Sequence, residues 1–386
     1  MAGSGRKVFA PGEVLTATNV QNYLMDQAVQ VYAGTAARGS AIGSATTEGM
    51  VSWLSDTDQM QVATGTATWA DVSFAQSPNA IINGAFDIWQ RGTTFTNPGG
   101  TYSADRWASN RDSTTTCDIS RQTFTPGNTI AGYEPAFFFR ATGTVVSGNA
   151  FYALQRVEDV RSFAGQTVTL SYWAKANTNV NNTPIYIQNF GSGGSSNVIS
   201  ASLATHAITS SWQRFSVTFN VPSISGKTIG TSSLLELQVI RCTSTATVDL
   251  WGVQLEQGPV ATPFRRNAPS IQAELAACQR YYWRATATGV DGRLAQGVQA
   301  TTTSSSVLVY LPSEFRVKPT SVGYSSVAWT DTYSFSATVS AATLHAGTNS
   351  KTVTVELTHS SAGAPRYPGY LSSPGGSGYL ELSAEL

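Results

Sequence analysis

Between residues 79 and about 266, apolar and polar side chains alternate in short runs separated by turn-rich loops. In "TVTLSYWAK" the positions Val168, Leu170, Tyr172 and Ala174 share one face, and Thr167, Thr169, Ser171 and Lys175 share the other. "RFSVTFNV" repeats the pattern with Phe215, Val217, Phe219 and Val221, and "LLELQVI" with Leu235, Leu237 and Val239. Period-2 alternation over several strands predicts an antiparallel β-sandwich. "VDLWGVQLE" slips by one residue: Val248 and Leu250 are in phase, Val253 and Leu255 are not, and Gly252 sits at the slip. A β-bulge at Gly252 is expected.

The pattern changes on either side. Val20, Tyr23, Leu24, Ala28 and Val31 fall at helical spacing, with Thr18 and Gln21 as a capping box, so a helix is expected from about Asn19 to Val31. Short strands with a turn at Asp56-Thr57-Asp58 follow, and "AQSP" closes the region. A segment this small buries too little apolar surface to stand alone, so its helix is expected to pack on another chain. After the sandwich, "NAPSIQAELAACQRYYWR" predicts a helix capped by Ser270 with a stripe of Ile271, Leu275 and Cys278. Short Ser/Thr-rich strands such as "SSVLVYLP" and "KTVTVELT" complete a smaller C-terminal β-domain. The expected fold is mostly β. Residues 1–78 form a helix-plus-hairpin attachment and oligomerisation region, 79–268 a jelly-roll sandwich, and 269–386 a short helix with a small β-domain.

Composition narrows the function. The 386 residues carry 23 Lys and Arg against 23 Asp and Glu, with only 12% charged residues, which leaves no basic footprint for nucleic acid. No apolar run approaches the roughly 18 residues of a membrane span, and the N-terminus lacks the apolar core of a secretory signal. Cys117, Cys242 and Cys278 are odd in number and far apart, which suits buried free thiols better than disulfides or zinc. His206, His345 and His359 show no ligand spacing. "SGKT" at 225–228 lacks the preceding glycine of a phosphate loop, since that position is Val221.

A glycan-cleaving enzyme needs only two carboxyl groups about 5–9.5 Å apart. The candidates are Asp87, Asp105, Glu134, Glu158, Asp159, Asp249 and Glu256, and most lie beside arginine or within an alternating strand, where an ion pair or a solvent-facing position suffices. No enzyme is expected. Among the many aromatics, most suit core or subunit-interface positions. Trp173 faces away from the Val168/Leu170/Tyr172 row, so it covers a second apolar layer or lies exposed. With Trp212 and Tyr186 it is a candidate for stacking on sugar rings.

"INGAFDIWQRGTTF…YSADRW", "GQTVTLSYWAKA", "WQRFSVTFNVP" and above all "GVQLE-x-G-x-x-A-T-P-F" followed by "E-L-x-x-C-Q-R-Y-Y" resemble the sandwich-plus-helix module of bacteriophage tail-fibre and related virion proteins. "FAPGEVLTATNVQNYLMDQ" is similar to the opening of minor structural proteins of actinobacterial phages, and the ending "LSAEL" to the end of such fibres. The resemblance implies a non-enzymatic virion subunit made in the host bacterial cytoplasm. It would be a homotrimer, attached through its N-terminus to other virion proteins and contacting host-surface glycans, with a glycan depolymerase or a ligand-free decoration protein as alternatives. Trimer contacts are expected from Leu24, Met25 and Val31, and from the helix around Leu275.

The sandwich also resembles jelly-roll carbohydrate-binding modules. In these, an N-G-x-F-[DE] run at one end and an acidic strand at the other share a structural calcium. Asn83-Gly84-Ala85-Phe86-Asp87 and Val248-Asp249-Leu250 match that layout, so Asp87 and Asp249 are the candidate Ca²⁺ ligands. Arg91 could instead neutralise Asp87. Within "NAIINGAFDIWQRG", Asn83-Gly84 is expected to turn into the entry strand, with Phe86 and Ile88 or Trp89 feeding the core and Arg91 pairing with an acid.

Overall fold

The structure, a computed structural model, describes residues 12, 14, 16, 17, 29–57, 59–72, 79–113, 115–130, 132–200, 202–331, 335–360 and 365–386. The chain divides into two compact units, Met1–Ser77 and Pro78–Leu386.

In the first unit a four-stranded sheet runs in the order Val29–Tyr32, Val51–Leu54, Gln59–Gly65, Thr68–Asp71. The first pair is parallel and the others antiparallel. Val29–Val31, expected at the end of a helix, therefore lie in a strand, because "VQVY" alternates at period 2 and pairs with Val51–Leu54. The rest of that predicted helix, with Leu24 and Met25, falls outside the described residues. Arg38, on the short helix Thr35–Ala41, is buried: its Nη1 donates to Ser52 Oγ (2.9 Å) and Gln61 Oε1 (2.6 Å), and its guanidinium lies 4.0 Å over the Trp69 ring. Met50, Leu54 and Ala63 are the buried apolar side chains among the described residues of this unit, a small core for its length.

The second unit contains the sandwich. One sheet has the order Gln213–Asn220, Thr167–Ala176, Ala246–Gln257, Phe137–Thr144, Thr116–Thr123, Thr94–Phe95. The other centres on Leu234–Cys242, flanked on one side by Phe151–Glu158 and Trp107–Arg111 and on the other by Val180–Asn182 and Ile185–Asn189. Every pairing is antiparallel. Val168, Leu170, Tyr172 and Ala174 meet Leu235, Leu237 and Val239 in one core, as their alternation predicts. Thr169 and Ser171 are buried as well, because loops cover this sheet's outer face.

The slip at Gly252 is a β-bulge. Ser171 pairs with Gln254 and Trp173 with Trp251, so Gly252 and Val253 both stand opposite Tyr172, and Gly252 takes φ +63°. Trp251 follows the in-phase Leu250 and so faces outward, and the extra residue returns Val253 and Leu255 to the core.

The segment 79–92 is not a strand. It is a run of turns in which Asn83 (φ +57°) and Phe86 (φ +58°) are left-handed. Asn83 Nδ2 donates to the carbonyls of Ile88 (2.8 Å) and Asp105 (3.0 Å), and its Oδ1 accepts from Ile88 N (3.0 Å). These bonds replace the ladder of a strand. Phe86, Ile88 and Trp89 are nevertheless buried, as expected.

The helix Ile271–Gln279 starts at Ser270, whose hydroxyl accepts from Ala273 N (3.2 Å). Its inner face is Glu274 and Cys278 rather than Ile271, which is exposed. The reason is polar: Glu274 Oε1 accepts from Asn83 N (2.5 Å) and Oε2 from Ala268 N (2.8 Å), so the carboxylate staples two loops. Beyond it, six strands close a barrel in the order Gly292–Gln299, Ser304–Tyr310, Thr352–His359, Ser336–Leu344, Ala328–Asp331, Pro368–Ser373. A three-stranded sheet, Tyr282–Thr286, Tyr379–Ser383, Ser321–Ser325, adds Leu380 and Leu382 to the barrel's core.

Sandwich and barrel meet through buried charge. Glu385 accepts from Arg106 Nη1 and from Arg91 Nη2 (3.0 Å), and the two guanidinium groups lie 3.5 Å over the rings of Tyr281 and Tyr282. Arg91 thus finds an acid, but it is Glu385, with Asp105 at 3.8 Å, and not Asp87. Burial pushes the Asp105 carboxyl up from its ordinary 3.8 to about 6, against the opposing effects of Arg91 and Gln90. A carboxyl harder to ionise folded than unfolded gives its full contribution below 3.8 and loses it as pH rises to about 6. Relative to Asp105→Asn, the wild-type chain should therefore lose about 3 kcal/mol of unfolding free energy across that window. Parallel pH profiles for the two proteins in urea denaturation would contradict this.

Candidate functional site

The bulge and the alternation place Trp251 and Trp173 side by side on the outer face of the six-stranded sheet, next to Phe138. The loop between Thr116–Thr123 and Phe137–Thr144 supplies Phe124, Ile130 and Tyr133, and the segment after Ala246–Gln257 supplies Phe264. These side chains form a second apolar layer outside the main core. Phe124 stacks edge-on against Phe138 (4.8 Å) and Trp251 (6.5 Å), Trp251 contacts Phe264 (5.0 Å) and Tyr133 (5.6 Å), and Trp212 closes the far side against Phe124 (5.4 Å) and Phe138 (5.5 Å).

Two open grooves flank this layer. The first, about 610 Å³, has Ala85, Tyr133, Trp251 and Phe264 as its apolar lining and Asp87, Glu134, Arg265 and Arg266 as its charged residues. The second, about 530 Å³, runs between Phe124, Asn128, Ile130, Phe138, Lys175 and Trp212. In the first groove Asp87 Oδ2 accepts from Arg266 Nε (2.9 Å) and Nη2 (2.8 Å), while Glu134 Oε1 accepts from Gly127 N (2.6 Å). Tyr133 donates its hydroxyl to Phe264 O (2.8 Å), and burial raises its phenol above the ordinary value. The Glu274 staple joins Asn83, just before Ala85, to Ala268, and so fixes both walls. In the second groove Lys175 Nζ lies 5.4 Å from the Trp212 ring and 3.6 Å from Asp249 Oδ2.

The sequence-derived site residues divide. Trp212 lines the second groove. Trp173 covers a second apolar layer, half-buried beneath both loops, and lines neither groove. Tyr186 is a core residue, 6% exposed, stacked on Phe219 at 5.1 Å, so it is not available to a ligand. Its strand reads "IYIQN", and that pattern does not say which of Ile187 and Tyr186 turns inward. Asp87 and Asp249 are not brought together as a calcium pair. Asp87 is held by Arg266, whereas Asp249 accepts from Arg140 Nε (2.6 Å) and Nη2 (2.9 Å). Each carboxylate has its own guanidinium, and among the described residues no group of three or more His, Cys, Asp or Glu could hold a metal ion. The three cysteines are free and buried, as their spacing suggests, and burial pushes the Cys117 thiol up to about 12.

Tyr133, Trp251 and Phe264 were not singled out by sequence. The signal for Trp251 lies in the alternation itself: it directly follows the in-phase Leu250, so period 2 puts it on the opposite face.

No protein-family model matches this chain, and no curated protein does. Among solved structures, part of the chain is similar to the enzymatically active domain of tailspike protein 4 of bacteriophage CBA120 (14% identity, TM-score 0.30, 47% of this chain). The match spans 21% of that tailspike chain. It is also similar to the xylan-binding domain of a Paenibacillus barcinonensis protein (14% identity, TM-score 0.29, 49% of this chain and 100% of that one). A third likeness is to the family 11 carbohydrate-binding module of a cellulosomal cellulase of Clostridium thermocellum (11% identity, TM-score 0.28, 45% and 98%). At such identities and scores these likenesses carry nothing about what this chain binds.

Proposed function

We propose that this chain is a non-enzymatic fibre or spike subunit of a bacteriophage virion that contacts host-surface glycans through the outer face of its sandwich. The observation that carries the glycan reading is the aromatic layer outside the main core, flanked by two open grooves that combine ring faces with polar groups. Aromatic rings with polar neighbours suit the alternating apolar and hydroxylated faces of a sugar. The virion assignment rests on the resemblance of the sandwich-plus-helix sequence to phage fibre modules. In that reading the N-terminal unit, with its small core and exposed Val29 and Val31, attaches to another virion protein and assembles three copies. Several weak sites per particle then give avidity without one tight site.

Asp87 and Glu134 share the first groove, which is where a depolymerase would hold its two acids. Each already has a partner, Arg266 and the Gly127 amide, which supports the binding reading over catalysis. A glycan-release assay on host cell wall should therefore yield no reducing ends.

The direct test is binding of the full chain to purified host-envelope polysaccharides. Tyr133→Ala and Trp212→Ala should each weaken retention about 3- to 10-fold, the range expected for loss of one stacking ring, while circular dichroism stays unchanged. Wild-type retention in both variants would remove the grooves from consideration.

A further inference from the structure

We infer that the first groove takes an acidic saccharide, one bearing a carboxylate, in preference to a neutral one; the inference rests on the glycan-binding reading above. The charge pairing within the groove is uneven. Asp87 is held by Arg266 and Glu134 by the Gly127 amide, but the exposed Arg265 guanidinium has no ion-pair or hydrogen-bond partner among the described residues. The Arg265 backbone is hydrogen-bonded: its N–H donates to Gln254 Oε1 (2.8 Å) and its carbonyl accepts from Asn79 (2.9 Å), which fixes where the side chain starts.

The groove holds a second unpaired donor. Trp251 is 3% exposed and its Nε1–H finds no acceptor among the described residues, although a buried indole N–H ordinarily has one. The indole is flanked by Tyr133 and Phe264, at 5.6 and 5.0 Å. One unpaired cation and one unpaired neutral donor in the same groove ask for a ligand that brings negative charge and acceptors. A carboxylate supplies both, and its planar pair of oxygens matches the guanidinium fork. A neutral sugar would satisfy the indole N–H and leave the charge on Arg265 unused.

The experiment compares the full-length chain on polygalacturonate, on neutral galactan and on dextran sulfate, by affinity electrophoresis at low and at physiological salt. Polygalacturonate should bind at least 10-fold tighter than galactan, with the preference shrinking as salt rises, and dextran sulfate should not reproduce it. Arg265→Gln should cut polygalacturonate affinity about 5-fold or more and shrink its preference over galactan, whereas Trp251→Phe, which removes an N–H offered to both polymers, should weaken both. Arg265 is exposed, so its variant tests the idea even where Trp251→Phe disturbs packing. Equal affinity for the acidic and neutral polymers, tightest binding to dextran sulfate, or an unaltered preference in Arg265→Gln overturns the inference while leaving glycan binding intact. Absence of binding to any polysaccharide, host-envelope preparations included, overturns both.

Discussion

Replacing Glu385 by alanine should destabilise the Pro78–Leu386 unit by about 3–5 kcal/mol, the cost of stripping a buried charge of its partner. Arg106 is 1% exposed, and what remains around it would be the Arg156 carbonyl (2.6 Å) and, as uncharged rings, Tyr281 (3.5 Å) and Tyr102 (5.9 Å). None of these neutralises a guanidinium. Arg91 keeps Asp105 at 3.8 Å, so Arg106 is the group left uncompensated. Urea denaturation followed by tryptophan fluorescence would register the loss as a lower midpoint. The comparison variant is Asp159→Asn, which breaks the pair with Arg161, whose side chains are 43% and 60% exposed. That pair should be worth less than about 1 kcal/mol. Equal effects from the two substitutions would mean that water reaches Arg106 and that the joint is not a buried ion pair.

Gly84→Ala should cost about 3 kcal/mol, at the upper end of overpacking. A Cβ at Gly84 would stand 2.2 Å from the Val253 carbonyl oxygen and 3.2 Å from its carbon, and both belong to backbone that cannot rotate away. The same approach lets Gly84 O accept from Val253 N at 3.0 Å, directly beside the bulge. Gly127→Ala is the informative contrast, with φ +87° and open space around it. Only the left-handed backbone term applies there, about 1–2 kcal/mol. Because Ala85 and Asp87 follow Gly84 into the first groove, Gly84→Ala should also weaken glycan retention, and Gly127→Ala should spare it wherever Glu134 keeps its amide. Thermal melts and retention on the same polysaccharide separate the two effects.

The elements read correctly from sequence are those whose information is local. Thr167–Ala176, Gln213–Asn220 and Leu234–Cys242 carry their own period-2 pattern, Gly252 marks its own bulge, and Ser270 its own helix start. The segment 79–92 was misread as a strand because its geometry is imposed from far away. Gln155 bonds both backbone groups of Ile82, Glu274 takes the Asn83 N–H, and Trp107 Nε1 donates to Asn83 O. The Arg106–Glu385 joint spans 279 positions of sequence, beyond the reach of any local pattern. The aromatic layer was half legible. Alternation assigned Trp173 to the outer face, but the loops that carry Tyr133 and Phe264 over it have no periodicity to read.

Asn83 and Gly84 have a consequence for the chemical ageing of the chain. Asn-Gly is the dipeptide in which the following amide nitrogen most readily attacks the asparagine side chain, closing a succinimide and releasing ammonia. Here that attack requires the Asn83 amide to rotate, and rotation breaks all three bonds that tie it to Ile88 and Asp105. The side chain is 1% exposed, so water is also kept from the reacting carbon. The clamp that shapes the loop is thus also its preservative. The residue keeps its amide for as long as the sandwich stays folded, and chains held unfolded gain a negative charge at position 83 as the succinimide opens.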